Sequence, residues 1–572
     1  MTAFRIEEFA FDAKSLATQA ALEPKLNNWP VVYTLDAQGK IYVGESINAA
    51  GRLRNHLDSP AKRVHRLQGA RVVIGERFNK SACLDLESYL IRLLAGDGQY
   101  EVLNRNEGIT RADYFDRDTY QRTFAEIFEE LRRRGVFTRS ISEIENSDLF
   151  KLSPFKALSV DQTAVVEGIL DGLFDDLSND TSSRIVIQGD PGTGKTVVAI
   201  YLMKLLADIQ AADPDTVPEG DSVLSEFFVK GYRELLQDFK VGLVVPQQSL
   251  RLSVKRVFRK TPGLSPKQVL SPFQVVSGGS EFDLLIVDEA HRLNQRAAQA
   301  AGPLNRMFSD HNRALFGDDD PKYTQVDWIN RVSRHQIYLV DGAQAIRPAD
   351  LSEETLGALV ATARHEDRHY RLHSQMRVQA GQDYVRYVRG VLSGSVFQRE
   401  TFPGYDLRFF DHLGDMRDAL DLREQEAGLA RLVAGFAWSW ATKRNPEAYD
   451  IELDGQRLRW NSTDVDWVSS SNSVNEVGSI HTIQGYDLNY AGVIIGPDLR
   501  YDAARSRTTF DRANYKDPRG TTNNRLLGVT YSDEDILKFV RNIYAVLLTR
   551  GMLGTYVYVC DPALREHLRR FF

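Results

Sequence analysis

Cysteine is almost absent from this sequence. Cys83 and Cys560 are the only two in 572 residues. That excludes a disulfide framework and a cysteine-based zinc site, and it fits a reducing, cytoplasmic setting. No apolar run approaches the ~18 residues that a membrane span needs, so no membrane partner is expected. The first residues lack a basic stretch followed by an apolar one, so no secretory signal peptide is expected. There is no low-complexity tract, and 42% hydrophobic with 26% charged residues is ordinary for a globular chain. Charge of one sign is also scarce: 71 Lys and Arg stand against 78 Asp and Glu, a net −7. This argues against a protein that coats nucleic acid nonspecifically but leaves room for a local basic surface.

Two such surfaces are present. One comprises Arg52, Arg54, Lys62, Arg63, Arg66, Arg71 and Arg77, opposed only by Asp58 and Glu76. The other comprises Arg251, Lys255, Arg256, Arg259 and Lys260. Alone, each reads as a solvated face. The length is too great for one core, so two to four domains are expected. Residues 1–28 read as a leader of uncertain structure, 29–110 as a compact α/β domain and 111–150 as a charged helical connector. From residue 151 onward, short β-branched runs such as Ile185-Val186-Ile187 and Leu284-Leu285-Ile286-Val287 alternate with helices. That pattern suits parallel sheets buried on both faces, and it divides into lobes at 151–345 and 346–572. Residues 205–229 hold acids but no Lys or Arg and read as an exposed insertion.

The most specific motif is Gly189-Asp190-Pro191-Gly192-Thr193-Gly194-Lys195-Thr196. It matches the phosphate-binding P-loop in full, between an apolar strand and an apolar helix. Gly189, Gly192, Thr193 and Gly194 let backbone N–H groups turn inward around phosphates, and the helix N-terminus adds its dipole. Lys195 is expected on the β- and γ-phosphates of ATP and Thr196 on Mg²⁺. Asp283–Val287, a strand, runs into Asp288-Glu289-Ala290-His291. Asp288 is expected to hold Mg²⁺ and Glu289 to polarise the attacking water.

A P-loop alone does not choose among ATPases. Taken in order, the remaining motifs resemble superfamily 1 helicases, more narrowly the schlafen-group helicase-like P-loop family, over nearly all of 151–572. The resemblance implies that Gln162, in Leu158-Ser159-Val160-Asp161-Gln162, reads adenine. It implies that Val244-Val245-Pro246-Gln247-Gln248-Ser249-Leu250 touches the nucleic-acid backbone. Gln344, in Asp341-Gly342-Ala343-Gln344, would sense the γ-phosphate. Arg377, in Leu372-His373-Ser374-Gln375-Met376-Arg377, and Arg550, in Leu548-Thr549-Arg550-Gly551, would be two arginine fingers. Gln484, Gly485 and Asp487, in Ile480-His481-Thr482-Ile483-Gln484-Gly485-Tyr486-Asp487, would link nucleic acid to ATP, with Asp487 on the ribose.

At the other end, Val32-Tyr33, Tyr42-Val43-Gly44, Arg52, Glu87 and Asn104 resemble the GIY-YIG nuclease family over 29–106, with Val31-Val32 in place of Gly-Ile. Arg52 and His56 are four apart in a helical stretch and so share a face. Glu87 lies beside an apolar helical stripe, where a carboxylate calls for a cation partner. The resemblance implies that Glu87 binds one Mg²⁺ or Mn²⁺, that Tyr33 or Tyr42 helps deprotonate water, that Arg52 steadies the phosphate and that Asn104 braces the site. The expected fold is therefore α/β: a small GIY-YIG domain, a connector and two RecA-like parallel-sheet lobes. The expected function is ATP-dependent translocation or unwinding of nucleic acid, DNA rather than RNA, with cutting, in defence against foreign DNA or in repair. Two other readings stay open: an ATP-gated nuclease that does not translocate, and a nucleic-acid sensor with an inert nuclease fold.

Overall fold

A computed structural model describes residues 4–59, 63–104, 113–155, 158–212, 223–228, 231–277, 282–297, 302–341, 347–463, 467–483 and 486–572. The chain divides into two compact units. One is Met1–Leu158 with Ile200–Gln237 and Val254–Pro266; the other is Ser159–Ala199, Asp238–Ser253 and Lys267–Phe572.

The first unit is built on a five-stranded sheet of β1 (Phe4–Ala10), β2 (Val31–Ala37), β3 (Lys40–Ser46), β4 (Gly69–Gly75) and β5 (Glu101–Val102), in the order β1-β4-β2-β3-β5. Successive strand residues point to opposite faces, and the core divides accordingly. Val31, Tyr33 and Leu35 join Ala49, Leu53 and Leu16 on one side. Val32, Ile41 and Val43 join Leu86, Leu90 and Leu94 on the other. Covering both faces explains why β2 is apolar without alternation. Residues 4–26, expected as a leader, are part of this body: β1 pairs antiparallel with β4 from Phe4↔Gly75 to Ala10↔Gly69. Helix Ala13–Leu22 follows, capped by Asp12 accepting from Ser15 N–H. The signal in the sequence is weak because Phe4–Ala10 carries Arg5 and Glu7 on the face away from Ile6 and Glu8 on the same face as it.

Helix Arg117–Arg133 falls in the stretch expected as a connector. Its buried residues, Phe124, Ile127, Phe128 and Leu131, recur at three and four positions, the stripe of a core-facing helix. They belong to the same hydrophobic cluster as Val32, Val43 and Leu90. The helix is part of the first unit's core.

The second unit holds two parallel sheets. The first comprises β6 (Arg184–Gly189), β7 (Val241–Val244), β8 (Val269–Leu270), β9 (Phe282–Val287), β10 (Ser333–Val340) and β11 (His369–Leu372), in the order β11-β6-β10-β9-β7-β8. β11 pairs with β6 through Leu372↔Gly189, so this sheet runs past residue 345, where the lobe boundary was expected. The second comprises β12 (Asp406–Phe409), β13 (Ala430–Ala434), β14 (Ile451–Leu453), β15 (Gln456–Trp460), β16 (Glu476–Ser479), β17 (Leu488–Ile495) and β20 (Gly551–Val559), in the order β12-β20-β17-β13-β16-β15-β14. Only the β14–β15 hairpin is antiparallel. β18 (Leu499–Asp502) and β19 (Arg507–Phe510) form a separate ribbon. In the stretch 205–229, expected as an exposed insertion, Leu205, Leu206 and Ile209 are buried in helix Lys195–Gln210, Leu224 and Phe227 are buried in the turn Val223–Phe228, and 213–222 lie outside the described residues.

Replacing Phe128 by Ala tests the placement of Arg117–Arg133. Its ring is buried and lies 4.4 Å from that of Phe137. Loss of a buried Phe costs about 3–5 kcal/mol, read as a lower unfolding midpoint in denaturant. Arg122→Ala, on the exposed face, should change little. Equal, negligible effects from both would identify a free linker helix.

Candidate functional site

The P-loop occupies the turn between β6 and helix Lys195–Gln210. Gly192 and Gly194 adopt φ of +86° and +79°, a region that non-glycine residues rarely enter. Both also lie under side chains: a Cβ on Gly194 would collide with the Gln162 amide, and one on Gly192 with Gln375. The Lys195 ammonium is buried and turned onto the carbonyl oxygens of Gly189 at 2.6 Å and Asp190 at 3.0 Å, with Asp341 at 3.7 Å. Thr196 Oγ1 donates to Asp288 Oδ2 at 2.7 Å. This hydroxyl–carboxylate pair beside a phosphate loop is the donor set that a magnesium–nucleotide complex uses, so the residues present fit one.

Asp288 ends β9 in full burial. Burial, with Glu289 alongside, pushes its carboxyl above the usual range. Glu289 adopts a left-handed backbone at φ 50°. Burial raises its carboxyl as well, but His291, Lys195 and Arg292 outweigh that and hold it below the usual carboxylate range. The His291 Nε2 lies 3.1 Å from Glu289 Oε2.

Segments beyond the first sheet meet this loop. Met376 N–H donates to Gly192 O at 2.8 Å, and Gln375 Nε2 to Pro191 O at 2.8 Å. Asp161 anchors the same segment. Its carboxylate accepts from the backbone N–H of His373 and Ser374, both at 2.9 Å, and from the Ser374 hydroxyl. Burial raises its pKa, but these bonds and the Ser159 hydroxyl overcome that and hold it well below the ordinary range. Arg377, one expected finger, forms an ion pair with Asp487. Arg550, the other, is fully buried and reaches Tyr486 O at 3.4 Å. Burial, with Arg377 nearby, pushes it down to about 9, while Asp487 and Glu289 oppose the shift. Arg377, Arg550, Asp487 and Glu289 are thus brought together.

Two expected roles look different in place. Gln162 is buried with both amide ends engaged: Oε1 accepts from Ser159 N–H at 2.9 Å and Nε2 donates to Thr193 O at 2.9 Å. Here it braces the P-loop. Asp487, expected on ribose, is paired with Arg377. Gln344, Gln484 and Gly485 lie outside the described residues. Sequence reasoning missed Asp161 and also Arg389, which reaches Asp190 at 3.1 Å and Asp341 at 3.7 Å. Arg389 sits on helix Gly381–Ser393 in no motif, so nothing in the sequence singled it out.

The first unit carries a second cluster. β2 and β3 pair with Tyr33 opposite Gly44 and Leu35 opposite Tyr42. Tyr33 and Tyr42 therefore share a face, with ring centroids 6.3 Å apart. A Cβ on Gly44 would lie 2.5 Å from the Tyr33 ring, which accounts for glycine there. Tyr33 Oη and His56 Nε2 are 2.8 Å apart. Burial, then Tyr42, pushes Tyr33 well above its ordinary pKa, while Arg52, its hydrogen-bond partner, pulls it down. Asn104 ties down β3, accepting from Val43 N–H at 3.1 Å and donating to Val43 O at 2.8 Å. Burial, then Glu45, pushes Glu87 up to about 7. Glu45, itself paired with Lys80, is the neighbour that sequence reasoning missed. Among the described residues no group of three or more His, Cys, Asp or Glu could hold a metal ion. Glu87 would serve as a one-carboxylate site, with water and substrate phosphate completing a hard cation's shell.

A P-loop on a parallel sheet, beside the buried Asp288 and its neighbour Glu289 and faced by two arginines, defines a P-loop ATPase of the helicase class. The chain belongs to the Schlafen group 3 DNA/RNA helicase domain family, whose model matches residues 182–561. It is 27% identical over 451 residues to an uncharacterized protein of Saccharomyces cerevisiae, covering 72% of this chain and 90% of that one. It is 29% identical over 143 residues to the ATP-dependent DNA helicase RecG of Aquifex aeolicus, covering 24% of this chain and 17% of RecG. Solved structures with some likeness include an arterivirus nonstructural protein 10 helicase with DNA, at 14% identity and TM-score 0.26 over 69% of this chain and 63% of that one. Pif1 helicase from Bacteroides is another, at 9% identity and TM-score 0.24 over 70% and 92%. Among the described residues, no helix is long and apolar enough to cross a membrane.

Asp161→Asn should lower stability at neutral pH by about 2–4 kcal/mol, since charge-assisted hydrogen bonds are worth about 1.5–3 kcal/mol each and the amide keeps some of them. A depressed carboxyl contributes stability above its unfolded pKa and loses it as pH falls through the folded value. The gap between wild type and variant, measured by denaturant unfolding, should therefore stay flat from about pH 8 to 5. A gap that closes within that window would show that Asp161 is not held ionised.

Proposed function

We propose that this chain is an ATP-driven motor on nucleic acid, a translocase or helicase, and that its first unit is a metal-dependent nuclease of the GIY-YIG kind. The observation that carries the motor is the meeting of Arg377 and Arg550 with Lys195, Thr196, Asp288 and Glu289 around one loop. Bound Mg²⁺-ATP would supply the phosphoanhydride bond and the charge that neutralises its oxygens. Thr196 and Asp288 would hold the metal. Lys195 would leave the carbonyls of Gly189 and Asp190 for the β- and γ-phosphates, a shorter-range and stronger partner for an ammonium. Glu289 would accept the proton of the attacking water. Arg377 and Arg550 would stabilise charge on the transferred group, with Arg377 released from Asp487 to do so. Because Arg550 leads into β20 of the second sheet while the P-loop leaves β6 of the first, nucleotide binding would draw the lobes together and hydrolysis would relax them. Repeated on a strand, that cycle is translocation. DNA is favoured over RNA, because a motor joined to a cutter suits defence against foreign DNA or repair; this rests on the parts alone.

The nuclease reading is supported by the ordered set of Tyr33 and Tyr42 on the small sheet, Arg52 and His56 on helix Ala49–Asp58, Glu87 on helix Lys80–Asp97, and Asn104. Glu87 would hold one divalent ion, Mg²⁺ or Mn²⁺, at the leaving oxygen. Tyr33, hydrogen-bonded to His56, would relay a proton, and Arg52 would steady the scissile phosphate.

Lys195→Ala should cut ATP hydrolysis at least about 100-fold. Glu289→Gln should still bind nucleotide and slow turnover by about 100-fold or more. Near-normal turnover in Glu289→Gln would remove the acidic pair from the mechanism. Incubation of the full chain with plasmid and Mn²⁺ addresses the nuclease. Cutting should need the metal, vanish in Glu87→Ala with ATP hydrolysis intact, and drop sharply in Tyr33→Phe. Full cutting in Glu87→Ala would reject the site, and no cutting by the wild type on any strand would leave an inert fold that only binds.

A further inference from the structure

The two ends of the P-loop face different chemistry. Gly192 looks onto Gln375 and Arg377, and Gly194 onto Gln162 and Met376. With Arg377 at the first end, a γ-phosphate belongs there, and the ribose and base of a nucleotide leave by the second. That second end carries exposed apolar surface. Met376 is 43% exposed, and its Cγ lies 4.0 Å from where a Cβ on Gly194 would stand. Val160, the first residue of helix Val160–Ser178 and two before Gln162, is 78% exposed.

The polar groups at the same end are engaged with one another. Gln162 is 2% exposed, and its amide ends are bonded to Ser159 N–H and Thr193 O. The first of those bonds is half of a capping box, Ser159 with Gln162, at the start of the helix. The fold itself therefore accounts for a glutamine at this position. Asp161 is taken up by Ser159, His373 and Ser374. The loop carbonyls are occupied in turn: Pro191 O by Gln375, Gly192 O by Met376 N–H and Thr193 O by Gln162. His373 has the one exposed polar side chain in 373–377. An imidazole that donates or accepts according to its tautomer imposes no single pattern on a base.

We propose that this site grips the base of its nucleotide by apolar contact without reading it, so that its substrates are nucleoside triphosphates at large, purine and pyrimidine, with Gln162 a positioning residue for the P-loop. The inference rests on the motor reading and names the substrate range of the same site. Its physical ground is an asymmetry in discrimination. A site that hydrogen-bonds a substrate group rejects an analogue lacking it by about 10⁴–10⁵, because buried partners are left unpaired, whereas an apolar pocket separates close analogues by only about 10–200-fold. Adenine and guanine differ in the donors and acceptors on their edges and hardly in the faces that Val160 and Met376 would cover. Methionine suits that role, because its unbranched, polarisable side chain adapts to what lies on it. A pyrimidine offers less area to cover and binds somewhat more weakly.

The test compares ATP, GTP, CTP and UTP on the full chain. One measurement is kcat/KM for phosphate release with Mg²⁺ and a homopolymeric single strand. The other is competition of each nucleotide against a ribose-labelled fluorescent ADP. The two purines should agree within about tenfold, and the pyrimidines should follow within about a further tenfold. Gln162→Ala should lower kcat/KM for all four by a common factor, roughly tenfold, because the loop loses a buried bond. Met376→Ser should raise KM for all four. A wider preference for ATP over GTP in the wild type would overturn the proposal. So would a Gln162→Ala variant that loses ATP alone and keeps GTP, the mark of a residue that reads adenine. If that variant does not fold, the four-way comparison on the wild type decides. Hydrolysis of none of the four would overturn the motor reading, and the competition would still decide how the base is held, so the two failures are distinguishable.

Discussion

Charge buried at the ends of apolar strands is the constraint around which the second unit is organised. Asp288, Lys195, Asp341, Arg292 and Arg550 are all nearly or wholly removed from water. A buried ion without compensation costs several kcal/mol, so each must be held by another part of the chain. Lys195 uses backbone carbonyls, Asp288 uses the Thr196 hydroxyl, and Arg377 uses Asp487. These arrangements bring the P-loop, the acidic pair and segments reaching from the second sheet to one place. The same low-dielectric setting strengthens any charge-on-charge interaction with a nucleotide. The ion pairs that stabilise the ligand-free protein are thus the contacts that a ligand would rearrange.

The parts of the site that were legible in the sequence share a physical cause. A P-loop needs its glycines at fixed spacing because Gly192 and Gly194 take positive φ and lie beneath other side chains. A strand that ends in carboxylates needs four apolar residues before them because both sheet faces are covered. Tyr33, Tyr42 and Gly44 could be read together because the period-2 geometry of a hairpin fixes which residues share a face. Each of these is a local constraint, and local constraints leave a pattern in adjacent residues.

What was not legible depends on contacts distant in sequence. Asp161 looks like one more helix-cap acid, and only the fold brings His373 and Ser374 to it. Arg389 and Arg292 carry no motif, and Glu45 sits in the same strand as Gly44 without signalling that Glu87 lies close. The ends of the domains were misjudged for a related reason. Phe4–Ala10 is a charged edge strand, with one side paired to β4, so it lacks the apolar density of an inner strand. Arg117–Arg133 is strongly charged on its outer face, and four buried residues were enough to seat it in the core. Composition therefore suggested a leader and a connector where packing makes a single body.

Coupling of ATP turnover to movement along nucleic acid is measured most directly as ATP consumed per binding event as a function of strand length. The two-lobed arrangement predicts consumption that rises with length until the protein dissociates. Consumption that is the same on short and long strands would contradict it and would make the nucleotide site a switch rather than a motor.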